Sequence, residues 1–297
     1  MCRYMLKIFF FFVLVALADC LFGHAGDYLR DHTKGGFSGN IHHICENCNE
    51  DLIMMGSSRM RHHYVPQIFE DSLGISCYNA GIDGNGIIMA YGFLEMIIQR
   101  YSPKLIIYDV SSFDMYLDDN SKYLGPLRPY YQKGKIREIF EDVDATEKWK
   151  MRSGMYRYNS KILGLLGDNI SPMQSFDNGY WPFNKVMDYE PVLSEGAVPV
   201  VDPLKLSYVC KFIRTVKDNS IPLIFVASPT WFGASTASYN DPVKRICNEE
   251  GVVFLDHFYD EYLCCRKEYW SDATHLNDRG ARLFSRLLVQ DIKRACP

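Results

Sequence analysis

Two short motifs near opposite ends of the 297-residue chain contain side chains that could carry out covalent acyl transfer. An apolar run at 51–55 leads into GSSR at 56–59, and DATH at 272–275 precedes the last predicted helix. A serine beside an imidazole that a carboxylate orients forms a nucleophile, a general base and an orienting acid. Alone, the second serine would more often be a turn or helix-cap residue, but the late carboxylate and imidazole favour a nucleophile. The predicted catalytic residues are Ser58, His275 and Asp272.

Five apolar runs are predicted to be strands, and helical patterns lie between them. The near-continuous apolar run at 104–111 is typical of a strand that is covered on both faces of a parallel sheet. Strands that alternate with helices form right-handed βαβ units, so the sequence predicts an α/β fold, a three-layer sandwich around a five-stranded parallel sheet. The predicted strands are 51–55, 74–81, 104–111, 222–228 and 252–257, and the predicted helices are 64–73, 87–100, 206–218, 242–250 and the segment from 277 or 278 onwards.

Small polar and aromatic residues follow four of these predicted strands. Ser58 follows the first strand, Gly81–Gly84 the second, Ser111 and Ser112 the third, and Trp231 the fourth. The carboxyl ends of parallel strands meet at one edge of an open sheet, where ligands bind. We therefore expect these residues to gather at a single edge.

Three blocks of the sequence resemble the SGNH or GDSL-type hydrolases. They are Gly56-Ser-Ser58, Gly84 within NAGIDGNG, and the DATH motif at 272–275, and the likeness extends over residues 50–114 and 206–295. The resemblance implies a flavodoxin-like five-stranded sheet. It also implies a serine esterase or acyltransferase that works without a metal or another cofactor.

The first block departs from the family pattern, since Ser57 and Arg59 flank the serine where Asp and Leu are usual, and the third block departs further. The third block is usually Gly-x-Asn-Asp, whose Asn donates to the oxyanion, whereas this chain has DVSSFD at 109–114. Losing one such donor typically costs about 10²–10³ in rate. The resemblance therefore implies an altered oxyanion hole, made by the backbone N–H groups of Ser58 and Gly84 with Ser111 or Ser112 in place of the amide.

Six residues near these blocks are candidates for substrate binding. His62 and His63 lie one turn beyond the serine, although adjacent histidines on a short helix are also common as partly exposed structural residues. Arg59 could instead pair with Asp109 or Asp114 and hold the nucleophile loop in place. The candidates are Arg59, His62, His63, Tyr180, Trp181 and Trp231.

The middle of the chain, at about 115–205, breaks the alternation of strands and helices and is rich in Tyr and Trp. As an insertion in the hydrolase domain it could be a platform for sugar rings or a lid over a cleft, since such side chains stack and still form hydrogen bonds. It could equally be a subdomain that packs its own aromatic residues.

The N-terminus indicates export. Arg3 and Lys7 precede the apolar run 8–18, which ends in the Ala-Leu-Ala pattern that signal peptidase accepts. The run is shorter than the roughly 20 residues of a transmembrane helix, but Leu21 and Phe22 could extend it into an uncleaved anchor. The sequence thus predicts a periplasmic, secreted or membrane-anchored protein. Its predicted parts are a signal peptide or anchor at 1–22, a leader at 23–50 and the hydrolase domain at 51–297.

The net charge and the cysteine content limit which partners and metal sites the sequence predicts. The net charge is −4 with no long basic run, so no nucleic-acid partner is expected, and a membrane is expected only through the N-terminal segment. The HHICENC stretch at 42–48 has ligand types that suit zinc, but without a second Cys pair it is interpreted as a loop or local disulfide rather than a metal site.

Three functions agree with the sequence. The first is an exported serine esterase that removes O-acyl groups, often O-acetyl groups, from carbohydrate or another small ester. The second is an acyltransferase that uses the same three residues to pass the acyl group to a glycan. The third is a carbohydrate-binding protein that has kept the fold and lost turnover.

Overall fold

The computed structural model describes residues 2–171, 177–192, 199–264 and 266–295. The chain divides into two units, one made of residues 1–43 and 120–174 and the other of residues 44–119 and 175–297. This division differs from the predicted single insertion at 115–205, because residues 120–174 group with the N-terminal helix and the residues from 175 onwards group with the sheet.

The second unit contains a five-stranded sheet in which every neighbouring pair is parallel and the order is β2-β1-β3-β4-β5. This is the flavodoxin-like strand order. The predicted fold class is therefore confirmed, and each observed strand falls in a predicted run or within one residue of it. The strands are β1 Leu52–Gly56, β2 Cys77–Gly81, β3 Leu105–Asp109, β4 Leu223–Ala227 and β5 Val253–Asp256.

Helices lie in both units. Those of the first unit are α1 Cys2–Asp31, α2 Gly36–His42, α6 Ile136–Val143, α7 Glu147–Lys150, α8 Gly154–Tyr158 and α9 Ile162–Ile170. Those of the second unit are α3 Ser58–His63, α4 Pro66–Leu73, α5 Ile87–Ile98, α10 Pro203–Asp218, α11 Gly233–Thr236, α12 Asp241–Glu249 and α13 Asp278–Ala295. Short 3-10 turns occupy Ser112–Asp114, Asn120–Tyr130, Asp177–Gly179, Ala237–Asn240 and Lys267–Tyr269, and a π turn occupies His43–Asn47.

Both faces of the sheet are covered, which explains why its strands are apolar along their whole length. On one face Met54 and Ile107 share a buried core with Phe284 of α13. On the other face the Tyr108 ring of β3 lies 5.2 Å from the Phe212 ring of α10. The predicted apolar stripe of α13 is confirmed, since its four residues are buried: Ala281, Phe284, Leu288 and Ile292.

The first unit is built on the 30-residue helix α1. Its N-terminal part is apolar, bare of protein contacts, and long enough to cross a membrane by length and composition. From Asp19 onwards the helix packs on α8: the Asp19 carboxylate accepts hydrogen bonds from Ser153 Oγ at 2.6 Å and from the N–H groups of Gly154 and Met155 at 2.9 Å each. The predicted boundary at residue 22 therefore falls inside a continuous helix.

Most aromatic residues of the predicted insertion that belong to this unit are buried rather than displayed. Tyr123, Tyr130, Tyr131 and Tyr158 are all buried, whereas Trp149 is 58% exposed. For these four tyrosines the structure favours the packing interpretation over a sugar platform. In the second unit, Cys48 is a buried free thiol whose Sγ lies 3.2 Å from Tyr101 Oη.

Candidate active site

Ser58 is the first residue of α3 and stands at the carboxyl end of β1. The turn before it needs a glycine, because a Cβ on Gly56 would lie 2.9 Å from the Asp109 carbonyl oxygen and 3.0 Å from Met60 Cβ. With only a hydrogen there, β1 turns sharply into α3 beside β3. This local geometry places the serine side chain above the edge of the sheet, half-buried.

The structure brings the three predicted catalytic residues into hydrogen-bond contact. Ser58 Oγ lies 2.8 Å from His275 Nε2, and His275 Nδ1 lies 2.9 Å and 3.0 Å from the two carboxylate oxygens of Asp272. A carboxylate can only accept, so Nδ1 carries the proton and Nε2 is the acceptor for the serine hydroxyl. This is the arrangement of a nucleophile, a base and an orienting acid.

Asp272 is held as a carboxylate by its own loop. Partial burial would raise the pKa of Asp272, but the hydrogen bond and the charge of His275 lower it, and donors from Thr274 lower it further, so the pKa lies well below its usual value. Thr274 contributes its N–H at 2.8 Å and its hydroxyl at 2.9 Å. Thr274 is a supporting residue that the spacing argument did not identify.

The loop that contains His275 is fixed at several points. The chain pairs with itself at Trp270 and Leu276, and the N–H of Trp231 donates to the Ala273 carbonyl at 3.1 Å. Beneath the loop, the N–H of Leu276 donates to His63 Nε2 at 3.0 Å. These bonds fix the distance between the end of α3 and the imidazole of His275.

A cleft of about 360 Å³ opens beside Ser58 and His275. Ser111 and Ser112 line it, as predicted for residues that follow β3, whereas Gly84 is exposed after β2 and does not belong to the lining among the described residues. The wall also contains aromatic residues, hydroxyl-bearing residues and one amide that were not predicted from the sequence: Phe113, Thr230, Phe232, Thr236, Tyr239, Asn240 and Phe258.

The two serines after β3 are not equivalent. The N–H and hydroxyl of Ser111 donate to one carboxylate oxygen of Asp114 at 2.5 Å and 3.0 Å, and Tyr108 Oη donates to the other at 2.6 Å. Burial raises the pKa of Asp114 to about 6 despite these donors. Because the single hydroxyl proton of Ser111 is engaged, the predicted oxyanion role of Ser111 is corrected, and exposed Ser112 is the better candidate.

Arg59, predicted to bind substrate, is among the residues that line the cleft, but its guanidinium is engaged by protein groups. Its guanidinium donates to the carbonyl of Ser228 at 3.1 Å and to the carbonyl of Val110, and its Nε lies 3.7 Å from an Asp109 carboxylate oxygen. The alternative pairing with Asp109 is therefore observed. Burial raises the pKa of Asp109, while Arg59 and the donors Tyr64 and Ser228 oppose that rise. The pair stabilises the nucleophile turn from below.

His62 and His63 have different surroundings, and neither is free to meet a ligand. His63 is fully buried, and its burial, with the nearby charge of His275, lowers the pKa of His63 well below its usual value. His62 donates from Nδ1 to the Trp181 carbonyl at 2.6 Å, and its Nε2 lies 3.3 Å from Asp83. The prediction that both bind substrate is corrected to a structural role, because both rings are enclosed by protein.

The predicted aromatic binding residues lie outside the cleft lining. Tyr180 is buried and donates to Asp278 at 2.9 Å, so its predicted substrate contact is corrected. Trp181 packs under the Arg61 guanidinium at 5.0 Å, and Trp231 packs edge-on against buried Trp270 at 6.1 Å. Both are anchored within the second unit.

Phe183 is the aromatic residue of this segment that meets the site. Its ring stacks on His62 at 3.9 Å and lies edge-on to His275 at 5.6 Å between ring centroids. Its carbonyl accepts from the N–H of Asp278 at 2.8 Å. No periodicity surrounds Phe183, so this contact could not be predicted from the sequence.

No family model and no curated protein matches the chain. Among solved structures, a Desulfitobacterium hafniense protein described as a lipolytic protein of the G-D-S-L family aligns over 81% of this chain and 98% of its own, with 10% identity and a TM-score of 0.40. A catalytic mutant of Axe2, an acetylxylan esterase from Geobacillus stearothermophilus, aligns over 84% and 96%, with 12% identity and a TM-score of 0.41. A two-domain esterase active on acetylated mannans aligns over 82% and 48%, with 12% identity and a TM-score of 0.39. These similarities are too distant to assign an activity.

Proposed function

We propose that this protein is a serine ester hydrolase whose catalytic residues are Ser58, His275 and Asp272. The observation that supports this most strongly is the continuous hydrogen-bond chain from Ser58 Oγ to His275 Nε2 at 2.8 Å and from His275 Nδ1 to Asp272 at 2.9 Å. It opens into a cleft with room for a substrate. The depressed pKa of Asp272 keeps the orienting acid ionised at neutral pH.

In the first half of the reaction, Ser58 Oγ attacks the acyl carbon and its proton moves to His275 Nε2. Asp272 stabilises the imidazolium that forms and keeps the other proton on Nδ1. The tetrahedral intermediate then collapses, the bond to the alcohol oxygen breaks, and His275 gives its proton to the departing alcohol. The acyl group remains on Ser58.

In the second half, a water molecule gives a proton to His275 and attacks the acyl group. Collapse releases the carboxylic acid and returns the proton to Ser58 Oγ. The negative oxygen of both intermediates needs donors. The N–H of Ser58 at the start of α3 has no partner within its helix, and the hydroxyl of Ser112 faces the same cleft. These two groups form the proposed oxyanion hole.

The proposed substrates are O-acyl, chiefly O-acetyl, esters of carbohydrate. Support comes from the cleft, where rings of Phe113, Phe232, Tyr239 and Phe258 stand beside the hydroxyls of Thr230 and Thr236. Aromatic faces with polar groups at their edges suit sugar rings.

We place the protein outside the cytoplasm, held by α1 as an uncleaved anchor. The apolar part of α1 is long enough to span a bilayer. The helix continues without a break through the predicted cleavage site, and Asp19 beyond that site caps α8. Because Asp19 lies beyond residue 18, a chain that lacks residues 2–18 would keep this cap and lose only the apolar part of α1.

The test is hydrolysis of 4-nitrophenyl acetate and an acetylated glycoside by the wild type, Ser58→Ala and Ser207→Ala. Ser207 is an exposed serine of α10 whose hydroxyl donates to the Leu204 carbonyl of the same helix. Its variant should therefore keep the wild-type rate. Ser58→Ala should lose activity on both esters. Equal rates for the wild type and folded Ser58→Ala would overturn the proposal.

A further inference from the structure

Asn240 is a buried polar residue of the cleft wall whose side-chain amide has an unused donor. The residue is only 2% exposed, and its Nδ2 has no hydrogen-bond partner in the described part of the chain. Buried donors are almost always paired, because leaving one unpaired costs free energy. Asn240 also lines the cleft that contains Ser58 and His275. Asn240 therefore brings an unpaired donor to the wall of the space that a substrate would occupy.

Asn240 and Ser58 reach the cleft from different loops. Asn240 ends the 3-10 turn Ala237–Asn240 after β4, whereas Ser58 follows β1, and β3 lies between these two strands. Strands separated by one other strand lie about 10 Å apart in a sheet. Asn240 is therefore contributed by the β4 side of the cleft, the far wall as seen from the nucleophile turn.

The neighbours of Asn240 indicate what it would bind. Tyr239 and Phe232 line the same wall, and the Thr236 hydroxyl already donates to the Phe232 carbonyl at 3.0 Å, so that hydroxyl has no proton left to give. The amide of Asn240 is a buried donor of this group that lacks a protein partner among the described residues. A partner beside it must present an oxygen acceptor close to an apolar surface.

We propose that Asn240 is a specificity-determining residue that donates to a hydroxyl or ring oxygen in the alcohol part of the ester, away from the scissile bond. This inference rests on the proposed function and adds to it the part of the substrate that the far wall recognises. A cleft of about 360 Å³ is much larger than an acetyl group and has room for a sugar ring. A small aryl acetate lacks such an oxygen and gains nothing from Asn240.

The test compares kcat and KM for phenyl acetate and for a mono-acetylated methyl glucoside. In Asn240→Asp the donor is replaced by an acceptor of the same size, and Asn240→Ser serves as the second variant if the aspartate variant does not fold. The matched control is Asn248→Asp, because Asn248 is an exposed residue of α12 away from this cleft. Circular dichroism establishes that each variant is folded.

We expect KM for the acetylated glucoside to rise roughly three- to tenfold in the Asn240 variants, the effect of one neutral hydrogen bond. The kinetics with phenyl acetate should match the wild type, and Asn248→Asp should match it for both substrates. Unchanged KM for the glucoside, or an equal loss on both substrates, would overturn the inference. If the wild type hydrolyses neither ester, the proposed function fails, and calorimetric binding of the glucoside to Ser58→Ala with and without Asn240→Asp still tests Asn240.

Discussion

The stability of the protein should fall with acidification through one buried histidine. His63 is fully buried, accepts the N–H of Leu276 at 3.0 Å, and has a pKa held well below its usual value by burial and by the charge of His275. The unfolded chain takes up a proton at this residue below a pH of about 6.5, whereas the folded chain does not. The stability contributed by neutral His63 is therefore present above that pH and decreases as the pH falls.

The magnitude follows from linkage. Each pH unit between the two pKa values changes the free energy of unfolding by about 1.36 kcal/mol. Each unit of acidification below a pH of about 6.5 should thus remove about 1.36 kcal/mol through His63, for as long as the pH stays above the pKa of His63 in the folded chain. In a chain with a typical stability of about 5–15 kcal/mol, that loss is readily measured.

The assay is urea unfolding at several pH values between 5.0 and 7.5, followed by tryptophan fluorescence, to which buried Trp270 contributes. His63→Gln should be less stable than the wild type at pH 7.5 and should lose this part of the slope, because glutamine does not titrate. The control is His32→Gln, since His32 is exposed in the turn directly after α1 and its variant should retain the wild-type slope. A slope that is the same in His63→Gln and the wild type would refute the reasoning.

Three further changes have specific expected outcomes. Asp272→Asn should lower kcat for an acetyl ester by about 10³–10⁴ because the imidazole adopts the wrong tautomer, and steady-state kinetics that show less than a tenfold loss would contradict the role of Asp272. Arg59→Met should destabilise the fold by about 3–5 kcal/mol in urea unfolding, since it leaves the carboxylate of Asp109 buried without its cation; a midpoint equal to that of the wild type would exclude this. The full chain should fractionate with membranes and retain its N-terminus, whereas a chain without residues 2–18 should be soluble; a mature N-terminus at residue 19 would show cleavage instead.

The sheet was predictable from the sequence because strands buried on both faces leave a simple signal. The runs at 104–111 and 222–228 contain β3 and β4. The meeting of Ser58 with His275 was also predictable. Ser58 follows a parallel strand and His275 precedes the last helix, and both positions were expected at one edge of the sheet. Both predictions rest on the order and spacing of the motifs along the chain.

Burial and side-chain partners were not predictable in the same way. Tyr180 and His63 have residue types that suit a binding site, yet tertiary packing encloses both of them. Asn240 and Phe183 gave no signal, because nothing in the adjacent sequence shows that a turn after β4 will line the cleft or that the segment before α10 will contact His275. The N-terminal unit was misplaced for a similar reason: the contact between Asp19 and α8 joins residues more than a hundred positions apart.

The most direct test of the proposed mechanism is to treat the folded wild-type chain with a fluorophosphonate and map the adduct by mass spectrometry. A serine becomes reactive toward this reagent when a neighbouring base takes its proton, and Ser58 has that base at 2.8 Å in His275. The expected result is one adduct on Ser58, lost in His275→Ala. An unlabelled protein, or an adduct on another serine that persists in His275→Ala, would contradict the assignment of Ser58 as the nucleophile.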